Sequence, residues 1–503
     1  MTVRTGTRPD ATPATALPEP VPDAPPEPVP DVRREPAPRD GTPREDPYRA
    51  RIREAVDGGS RFAGLHVGAD GRTVRTVLRT PAGRWTVVGT PVRDGAVPTI
   101  VDLVPAAQWD EREARDLHAV DFAGHRPLRP LLRRGATGEW TVPVRGPDAY
   151  QIAVGPIHAG VIESGHFRFH VVGDEILHVD AQLFHKHRGL ERAAEGLDPD
   201  GGLRYAGRAC AACSVANTLA YAHAWEEALG LAGGEELARA RTVLLELERV
   251  WNHLNDIAAV CAGVGLAVGN ARFAALTERA RRLNARLCGH RFLAGTVRVG
   301  RSGTDLGAGA VRSAREELAD LRVHAERGWR ELLFNASFQD RMASTGVLDR
   351  DAALALGTVG PAARACGIPT DARVACDRLL YGDFPVPVPE RGTGDARSRV
   401  EQRVLELRQS FAILDELLGR PLAPSAAEPA GPGADLGVGQ VESSRGATTC
   451  VVERDGRTLR RWRLRTASFA NWPAVARAAS GDVLPDFPLI NKSFELCYAC
   501  VDR

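Results

Sequence analysis

The chain has 503 residues, 43% hydrophobic and 26% charged, with a formal net charge of +1. This composition is typical of a globular protein of two or three domains, and the small net charge gives no reason to expect nucleic acid as a partner. No apolar run reaches the roughly 18 residues of a membrane span, and the proline-rich start does not resemble a signal peptide. We therefore expect a cytoplasmic protein, with any membrane attachment made through other subunits.

Two regions precede the main body of the chain. Residues 1–46 are dominated by Pro, Ala, Asp, Glu and Arg, so we predict a disordered leader that cannot bury enough apolar surface to fold. Residues 47–135 alternate strand-like runs (FAGLHV, TVRTVLRT, RWTVVGT) with turns and end in a charged helix. This pattern predicts a small α/β domain, joined to the rest by a linker at 136–149.

Residues 150–503 have a mainly helical pattern. Two strand-like runs (YQIAVG, FRFHVV) precede an Ala- and Leu-rich helical region at about 184–350. Its run LARARTVLLELERVWNHLNDIAAVCAGVGLAVG becomes apolar on nearly all sides, which is typical of a helix buried in a bundle. A second helical stretch (RSRVEQRVLELRQSFAILDELL) and two strand-like runs (TTCVVERD, TLRRWRLRT) follow. The expected fold class is α+β, a small N-terminal α/β domain followed by a large helical-bundle domain with peripheral β structure.

The cysteines are not expected to form disulfides, which are rare in the cytoplasm. Two Cys-x-x-Cys pairs occur, Cys210 with Cys213 at the start of a predicted helix and Cys497 with Cys500 near the C-terminus. Thiols at this spacing can point the same way, and the helix dipole should lower the pKa of Cys213. Two pairs can close a four-thiolate site that suits zinc and iron alike. The spacing therefore leaves a structural zinc, a catalytic metal and coincidence open.

Several long motifs, in order, resemble a single family: GPIHAGVIESGHFRF (155–169), HKHRGLERAAEG (185–196), ERVWNHLNDIAAVC (248–261), GTVGPAARACGI (357–368) and SFANWPAVARAASGDVLPDFPLINKSF (468–494). They resemble the 49 kDa-like large subunit shared by complex I and the group 4 [NiFe] hydrogenases. The Glu-Arg-Glu-Ala to Gly-His-Arg-Pro-Leu-Arg pattern at 111–129 resembles the 30 kDa subunit of complex I. The fused order is similar to that of the formate hydrogenlyase large subunit. The resemblance implies an oxidoreductase, a hydrogenase large subunit that oxidises H2 and reduces protons reversibly.

The resemblance also implies a nickel–iron centre. Carried over by position, Cys210 and Cys497 are terminal nickel thiolates, and Cys213 and Cys500 bridge nickel and iron. Soft thiolates suit these metals, and the iron would carry diatomic ligands installed by maturation proteins.

Two further residues match the family by position. Glu191, in Arg-Gly-Leu-Glu, matches the proton-relay glutamate, and burial near thiolates should raise its pKa toward neutrality. Its alternative is a surface salt bridge. Arg445, in Ser-Arg-Gly, matches an arginine that lies over the iron's ligands, and its alternative is a buried structural ion pair.

Some positions depart from the family. The quinone-site histidine and tyrosine of the complex I branch fall on Ile162 and Ala211, which cannot hydrogen-bond a quinone carbonyl. In the hydrogenase motifs, Ala211 and Asn217 replace Gly and His, and Glu495 and Leu496 replace Asp and Pro. The alternatives are a metal-free NADH-quinone oxidoreductase subunit of complex I type that acts in electron-transfer coupling, and a protein with a structural zinc site.

The family implies partners. The remaining cysteines are not spaced for an iron–sulfur cluster, so electrons should pass to a [4Fe-4S] cluster in a separate small subunit similar to the 20 kDa subunit of complex I. Membrane subunits of a complex I-like assembly and hydrogenase maturation proteins are the other expected partners. The chain would then lie on the cytoplasmic face of the cell membrane.

Overall fold

The computed structural model describes residues 46–132, 140–146, 148–158, 163–374, 376–382, 384–385, 387–389 and 392–503. The predicted disordered leader (1–46) falls outside these ranges except for Asp46. Parts of the predicted linker, and Ile162, also lie outside the described residues.

A three-stranded antiparallel sheet with helices on one face begins the described chain. Its elements are α1 Pro47–Asp57, β1 Arg61–Val67, β2 Thr73–Arg79, β3 Trp85–Pro91, β4 Ala96–Pro98, α2 Gln108–His118 and β5 Asp121–Ala123. Strands β1, β2 and β3 pair in that order, and β4 pairs with β5 in parallel. Because side chains alternate along a strand, Val74 and Leu78 pack toward the helices, whereas Val77 packs against Val438 and Val451 of the second part of the chain. The predicted small α/β domain is confirmed.

The second part is mainly helical with strands at its periphery. Its strands are β6 Tyr150–Val154, β7 His166–Val172, β8 Glu175–Gln182, β9 Leu231–Gly233, β10 Val297–Arg298, β11 Arg301–Ser302, β12 Ala427–Pro429, β13 Leu436–Ser443, β14 Gly446–Asp455 and β15 Thr458–Arg465. Its helices are α3 Leu190–Ala193, α4 Pro199–Arg208, α5 Ser214–Leu229, α6 Glu235–Gly263, α7 Ala267–Cys288, α8 Ala308–Leu333, α9 Ala336–Met342, α10 Arg350–Ala355, α11 Gly360–Ala365, α12 Ala396–Leu417, α13 Ala467–Ala479, α14 Phe487–Phe494 and α15 Tyr498–Asp502. Strands β6–β7–β8 and β13–β14–β15 form two antiparallel sheets. The predicted α+β class is confirmed.

Helices α5 and α6 form the centre of the bundle and are buried on almost every side. Helix α6 packs against α7 and α12, and α5 lies on strand β13. Gly437 and Gly439 make that close approach possible, because a Cβ at either position would lie 2.0–2.2 Å from a carbonyl oxygen of α5. The close contact of helix and sheet fixes α5, whose N-terminus follows Cys213 directly.

The helical run around the centre of the chain is divided in two. Helix α6 ends at Gly263 and α7 begins at Ala267, with Gly265 at φ +78° in the turn between them. Glycine adopts this left-handed conformation without steric cost, which lets the chain reverse inside an apolar run. In the part of the chain that the structure describes, no helix combines the length and apolarity that a bilayer span requires.

Candidate metal centre

The two cysteine pairs meet in one cluster. Cys210 follows α4, and Cys213 immediately precedes α5. Cys497 immediately precedes the short helix α15, which contains Cys500. The four sulfur atoms all lie within 4.8 Å of one another, and all but Cys497 are buried. The structure therefore brings together the four thiols of the two Cys-x-x-Cys pairs identified in the sequence.

Arg188 connects the backbones of the two pairs. Its guanidinium donates hydrogen bonds to the carbonyl oxygens of Arg208 (2.9 Å) and Ala209 (2.7 Å), just before Cys210. It also donates to the carbonyl oxygen of Ala499 (3.1 Å), between Cys497 and Cys500. This role was not predicted from the sequence, although the residue lies in the motif that drew attention to Glu191. That motif was its only signal in the sequence.

Glu248 fixes the start of α5. Its carboxylate accepts hydrogen bonds from the backbone N–H groups of Val215 (2.6 Å) and Ala216 (3.1 Å). These are among the amides that a helix leaves without a partner at its first turn. Burial raises the pKa of Glu248 to about 8 even though both hydrogen bonds favour the carboxylate. Asn252, one turn later on α6, donates to the carbonyl oxygen of Ala212 (2.8 Å) and secures the loop between the first two cysteines.

The pKa values of the Cys210, Cys213 and Cys500 thiols shift in different directions. Hydrogen bonds from Cys213, Cys497 and Cys500 lower the pKa of Cys210 well below its usual value. The Cys210 thiolate in turn raises the pKa of Cys213 and of Cys500. The expected lowering at Cys213 is therefore wrong for the metal-free cluster, because the neighbouring thiolate outweighs the helix dipole. A cluster that holds one thiolate is suited to capture a cation, whose positive charge would then favour loss of the remaining thiol protons.

Arg445 is buried beside this cluster. Its guanidinium donates to Asp256 (2.9 Å), to the side-chain oxygen of Asn252 (2.5 Å) and to the backbone carbonyl of Glu495 (3.0 Å). Burial lowers the pKa of Arg445, but the negative charges of Asp256 and Cys497 outweigh it and raise the pKa. Arg445 is thus both a buried ion-pair partner and a fixed positive charge in the wall of the thiol cavity.

Glu191 has a different environment from the expected one. Its carboxylate accepts hydrogen bonds from the backbone N–H of Leu464 (2.8 Å) and from Arg503 (3.0 Å), and Arg463 lies 3.5 Å away. Burial favours a raised pKa, but the two guanidinium groups and the Leu464 amide outweigh it and lower the pKa of Glu191 to about 2. The expected shift toward neutrality is therefore wrong, because two arginines distant in sequence converge on this carboxylate.

Glu163 places a carboxylate beside the cysteine cluster. A cavity of about 450 Å³ adjoins Cys210 and Cys497 and is lined also by Glu163, Arg445 and Glu495. Glu163 accepts a hydrogen bond from the backbone N–H of Ala499 (2.7 Å), inside the second cysteine pair. Burial raises its pKa, more than that hydrogen bond lowers it. Glu163 lies in a motif that the sequence singled out, but no role was predicted for it.

The donor set fits a thiolate-held metal. Metal–sulfur bonds of about 2.3 Å place sulfur atoms of one site roughly 4 Å apart, in keeping with separations below 4.8 Å. Among the described residues, the side-chain nitrogen and oxygen of the buried Asn217 and the hydroxyl of Ser214 have no hydrogen-bond partner. Both residues lie at the start of α5, close in sequence to Cys213.

Comparison with known families divides the chain as the fold does. Residues 66–147 match the family of the respiratory-chain NADH dehydrogenase 30 kDa subunit. Residues 270–432 and 428–503 match the family of the 49 kDa subunit of the same enzyme.

Individual relatives include hydrogenases. The chain is 31% identical to hydrogenase-4 component G and 29% identical to formate hydrogenlyase subunit 5, both of Escherichia coli; each match covers 81% of this chain and 76% or 77% of the relative. It is 28% identical to an NADH-quinone oxidoreductase subunit of Rhodopseudomonas palustris, over 82% of this chain and 83% of the relative.

A solved structure is also similar. A chain of the membrane-bound sulfane sulfur reductase, an archaeal respiratory membrane complex, superposes with a TM-score of 0.65 at 26% identity. The superposition covers 71% of this chain and 99% of that one.

Proposed function

This chain belongs to the family of large subunits shared by complex I and the formate hydrogenlyase-type hydrogenases, with a 30 kDa-like domain fused in front, and we propose that it is the catalytic subunit of a complex I-like [NiFe] hydrogenase. It is a component of an oxidoreductase complex. The observation that carries the proposal is the meeting of four cysteines, distant in sequence, within 4.8 Å. A complex I-type subunit that only shapes a quinone pocket has no need of such a cluster.

The proposed centre uses all four thiolates. Cys210, Cys213, Cys497 and Cys500 would together hold nickel and iron, matching the family pattern. Nickel and iron bound there would supply heterolytic cleavage of H2. The chain's own contribution is to hold the thiolates close together and to keep the Arg445 charge in the cavity wall, where it favours negative charge.

Three carboxylates are candidates for the role of proton acceptor. The family pattern carries that role to Glu191, but its pairing with Arg463 and Arg503 makes it a weak base. Glu163 and Glu495 both line the thiol cavity, and burial raises the pKa of each, that of Glu495 to about 8; these are the two properties that a general base at this site needs. Glu163 also contacts the second cysteine pair directly, through the Ala499 N–H. We therefore place the first proton acceptance at Glu163 and retain Glu191 as its competitor.

The proposed partners follow from the relatives. Formate hydrogenlyase and the sulfane sulfur reductase are multisubunit assemblies, the latter a respiratory membrane complex. Electrons would leave this chain for a [4Fe-4S] cluster in a small subunit similar to the 20 kDa subunit of complex I. Membrane subunits would hold the chain at the cytoplasmic face of the cell membrane, and maturation proteins would insert the metals.

Metal content tests the proposal. The complex is purified anaerobically from its native host, and nickel and iron are measured by elemental analysis alongside Cys210→Ser and Cys497→Ser variants. About one nickel per chain, absent from both variants, is expected. Zinc alone would indicate a structural site, and absence of metal would indicate a complex I-type coupling role. Either result would refute the hydrogenase proposal.

The proton acceptor is tested by two matched substitutions, Glu163→Gln and Glu191→Gln. Each removes one charge and preserves the shape of the side chain. Loss of a general base reduces turnover by about 10²–10⁴-fold, so we expect that loss in H2 oxidation by Glu163→Gln and a smaller loss in Glu191→Gln. The reverse order would assign the proton to Glu191.

A second candidate is reduction of a sulfane sulfur by this site. Two observations favour it, the similarity to the sulfane sulfur reductase chain and a cavity of about 450 Å³, which is far larger than H2 requires. Polysulfide reduction by the purified complex, without H2 turnover, would favour this second candidate.

A further inference from the structure

A buried cluster of charges joins the small domain to the C-terminal helix. It contains three carboxylates and three guanidinium groups, which balance in charge: Asp110, Glu113, Glu191, Arg463, Arg465 and Arg503. Asp110 and Glu113 come from α2 of the small domain, and Arg463 and Arg465 come from β15. Arg503 directly follows α15, the helix that contains Cys500.

Glu113 of the small domain reaches the C-terminal segment. Its carboxylate, 4% exposed, forms ion pairs with the guanidinium groups of both Arg463 and Arg503. The Nε of Arg503 also donates to Glu191 at 3.0 Å. The Arg503 side chain is 2% exposed and lies 4.8 Å from the centroid of the Phe469 ring. A guanidinium with two carboxylate partners and an aromatic wall has a single well-defined position.

The short helix α15 depends on such contacts. It has five residues, and a helix of this length is not stable by itself. Besides Glu113, its described anchors include Arg188, which donates to the Ala499 carbonyl oxygen at 3.1 Å, and Glu163, which accepts from the Ala499 N–H at 2.7 Å. They also include His187, whose ring nitrogen lies 2.8 Å from the Asp502 carbonyl oxygen, and Thr466, whose hydroxyl donates to the Cys500 carbonyl oxygen at 3.0 Å. Metal ligands require a placement within about 0.5 Å, so each anchor of α15 bears on the position of Cys500.

We propose that Glu113 of the fused domain is a positioning residue for the cysteine cluster, holding Cys500 in place through Arg503. The fused small domain then helps to hold the metal-binding cysteines in position. This inference rests on the metal-holding role of the cysteines proposed above, and not on hydrogen chemistry. Among the described residues, loss of the Glu113 charge leaves the Arg503 guanidinium with Glu191 as its carboxylate partner and weakens the contact of the C-terminal segment with the small domain.

The test measures cobalt binding by the full chain. Metal-free protein is titrated anaerobically with Co²⁺, whose thiolate charge-transfer and d–d absorption bands report the number and geometry of sulfur ligands. Glu113→Gln keeps the side-chain shape and removes the charge. We expect Co²⁺ affinity to fall by about tenfold or more, the usual effect of losing a residue that orients a ligand, with altered d–d bands.

A control variant cuts another contact between the same two parts of the chain. Glu453 of β14 lies 3.3 Å from His66 and accepts from the backbone N–H of Ala69 (3.1 Å), both in the small domain. Glu453→Gln loosens this contact and leaves the C-terminal cluster intact. Its Co²⁺ affinity and spectrum should equal those of the wild type. An equal loss in both variants would overturn the inference, because general loosening of the interface would then explain the effect.

A second variant covers the case that Glu113→Gln does not fold, as judged by circular dichroism. Arg503→Lys keeps the positive charge but cannot bridge Glu113 and Glu191 with two separate nitrogen atoms. It should weaken Co²⁺ binding and alter the bands in the same direction. If the folded variants bind Co²⁺ as the wild type does, the positioning role of Glu113 is refuted, but the metal centre is not. Absence of Co²⁺ binding by the wild type overturns the metal centre itself.

Discussion

Replacing Arg445 with Met tests whether the charge beside the cysteines is also a structural necessity. The substitution keeps most of the apolar stem and removes a guanidinium whose side chain is 3% exposed. It leaves Asp256, which is fully buried, with Arg403 at 3.1 Å as its remaining arginine partner. It also leaves the Glu495 carbonyl and the Asn252 amide oxygen without their donor.

The magnitude follows from that burial. Breaking a buried ion pair from one side costs about 3–5 kcal/mol, because the remaining charge has lost both water and its partner. Arg403 compensates part of the Asp256 charge, so we expect the lower end, about 3 kcal/mol. Adding Asp256→Asn to Arg445→Met should recover at least about 1 kcal/mol, since the neutral amide no longer needs a cation.

The assay is urea denaturation of the full chain, followed by tryptophan fluorescence and circular dichroism. The control is Arg477→Met, because the pair of Arg477 with Asp349 is 56% and 53% exposed at 3.5 Å. Such a surface pair contributes about 0–1 kcal/mol, so the control should unfold like the wild type. The reasoning would be refuted if the Arg445→Met variant were as stable as the control, or if the double variant were less stable than Arg445→Met.

Two other predictions follow from single groups. Arg188→Ala removes the three hydrogen bonds that link the two cysteine segments, so it should weaken Co²⁺ binding by about tenfold or more. Arg188→Lys should bind Co²⁺ no better than Arg188→Ala, because an ammonium group lacks the planar fork of a guanidinium. Unchanged affinity in a Co²⁺ titration would contradict this prediction. For Asp180, burial raises the pKa, but hydrogen bonds from His178, Val142 and Arg129 outweigh it and lower it to about 2. A carboxyl with a depressed folded pKa stabilises the protein above its unfolded pKa of about 4 and loses that contribution as the pH falls toward 2. Asp180→Asn should therefore cost about 1–2 kcal/mol at pH 7 and almost nothing near pH 2, as thermal unfolding at several pH values can check; a cost that does not change with pH would show that the charge is not involved.

The local pattern of apolar and polar residues was sufficient to predict most of the secondary structure. Alternation along 73–79 and helical spacing along 397–417 specify which side of each element is apolar, and both elements formed as predicted. The break between α6 and α7 was missed because the apolar pattern continues through it, while Gly265 takes a backbone conformation that the pattern does not record. No helix was predicted for residues 467–502, where α13 to α15 lie largely buried against other elements.

The sequence by itself determined the chemistry available to this protein: two cysteine pairs, an arginine and several acids within motifs that resemble one family. Those features are short sequence motifs, so they can be recognised in the sequence without knowledge of the fold. Tertiary structure alone decided which charges share a buried space. Arg503 lies 312 residues from Glu191 and 390 from Glu113, and its contact with both makes one acid a weak base and ties the other to the cysteine-bearing helix. Because the strength of a charge interaction depends on distance and burial rather than on spacing along the chain, only the folded chain could assign these roles.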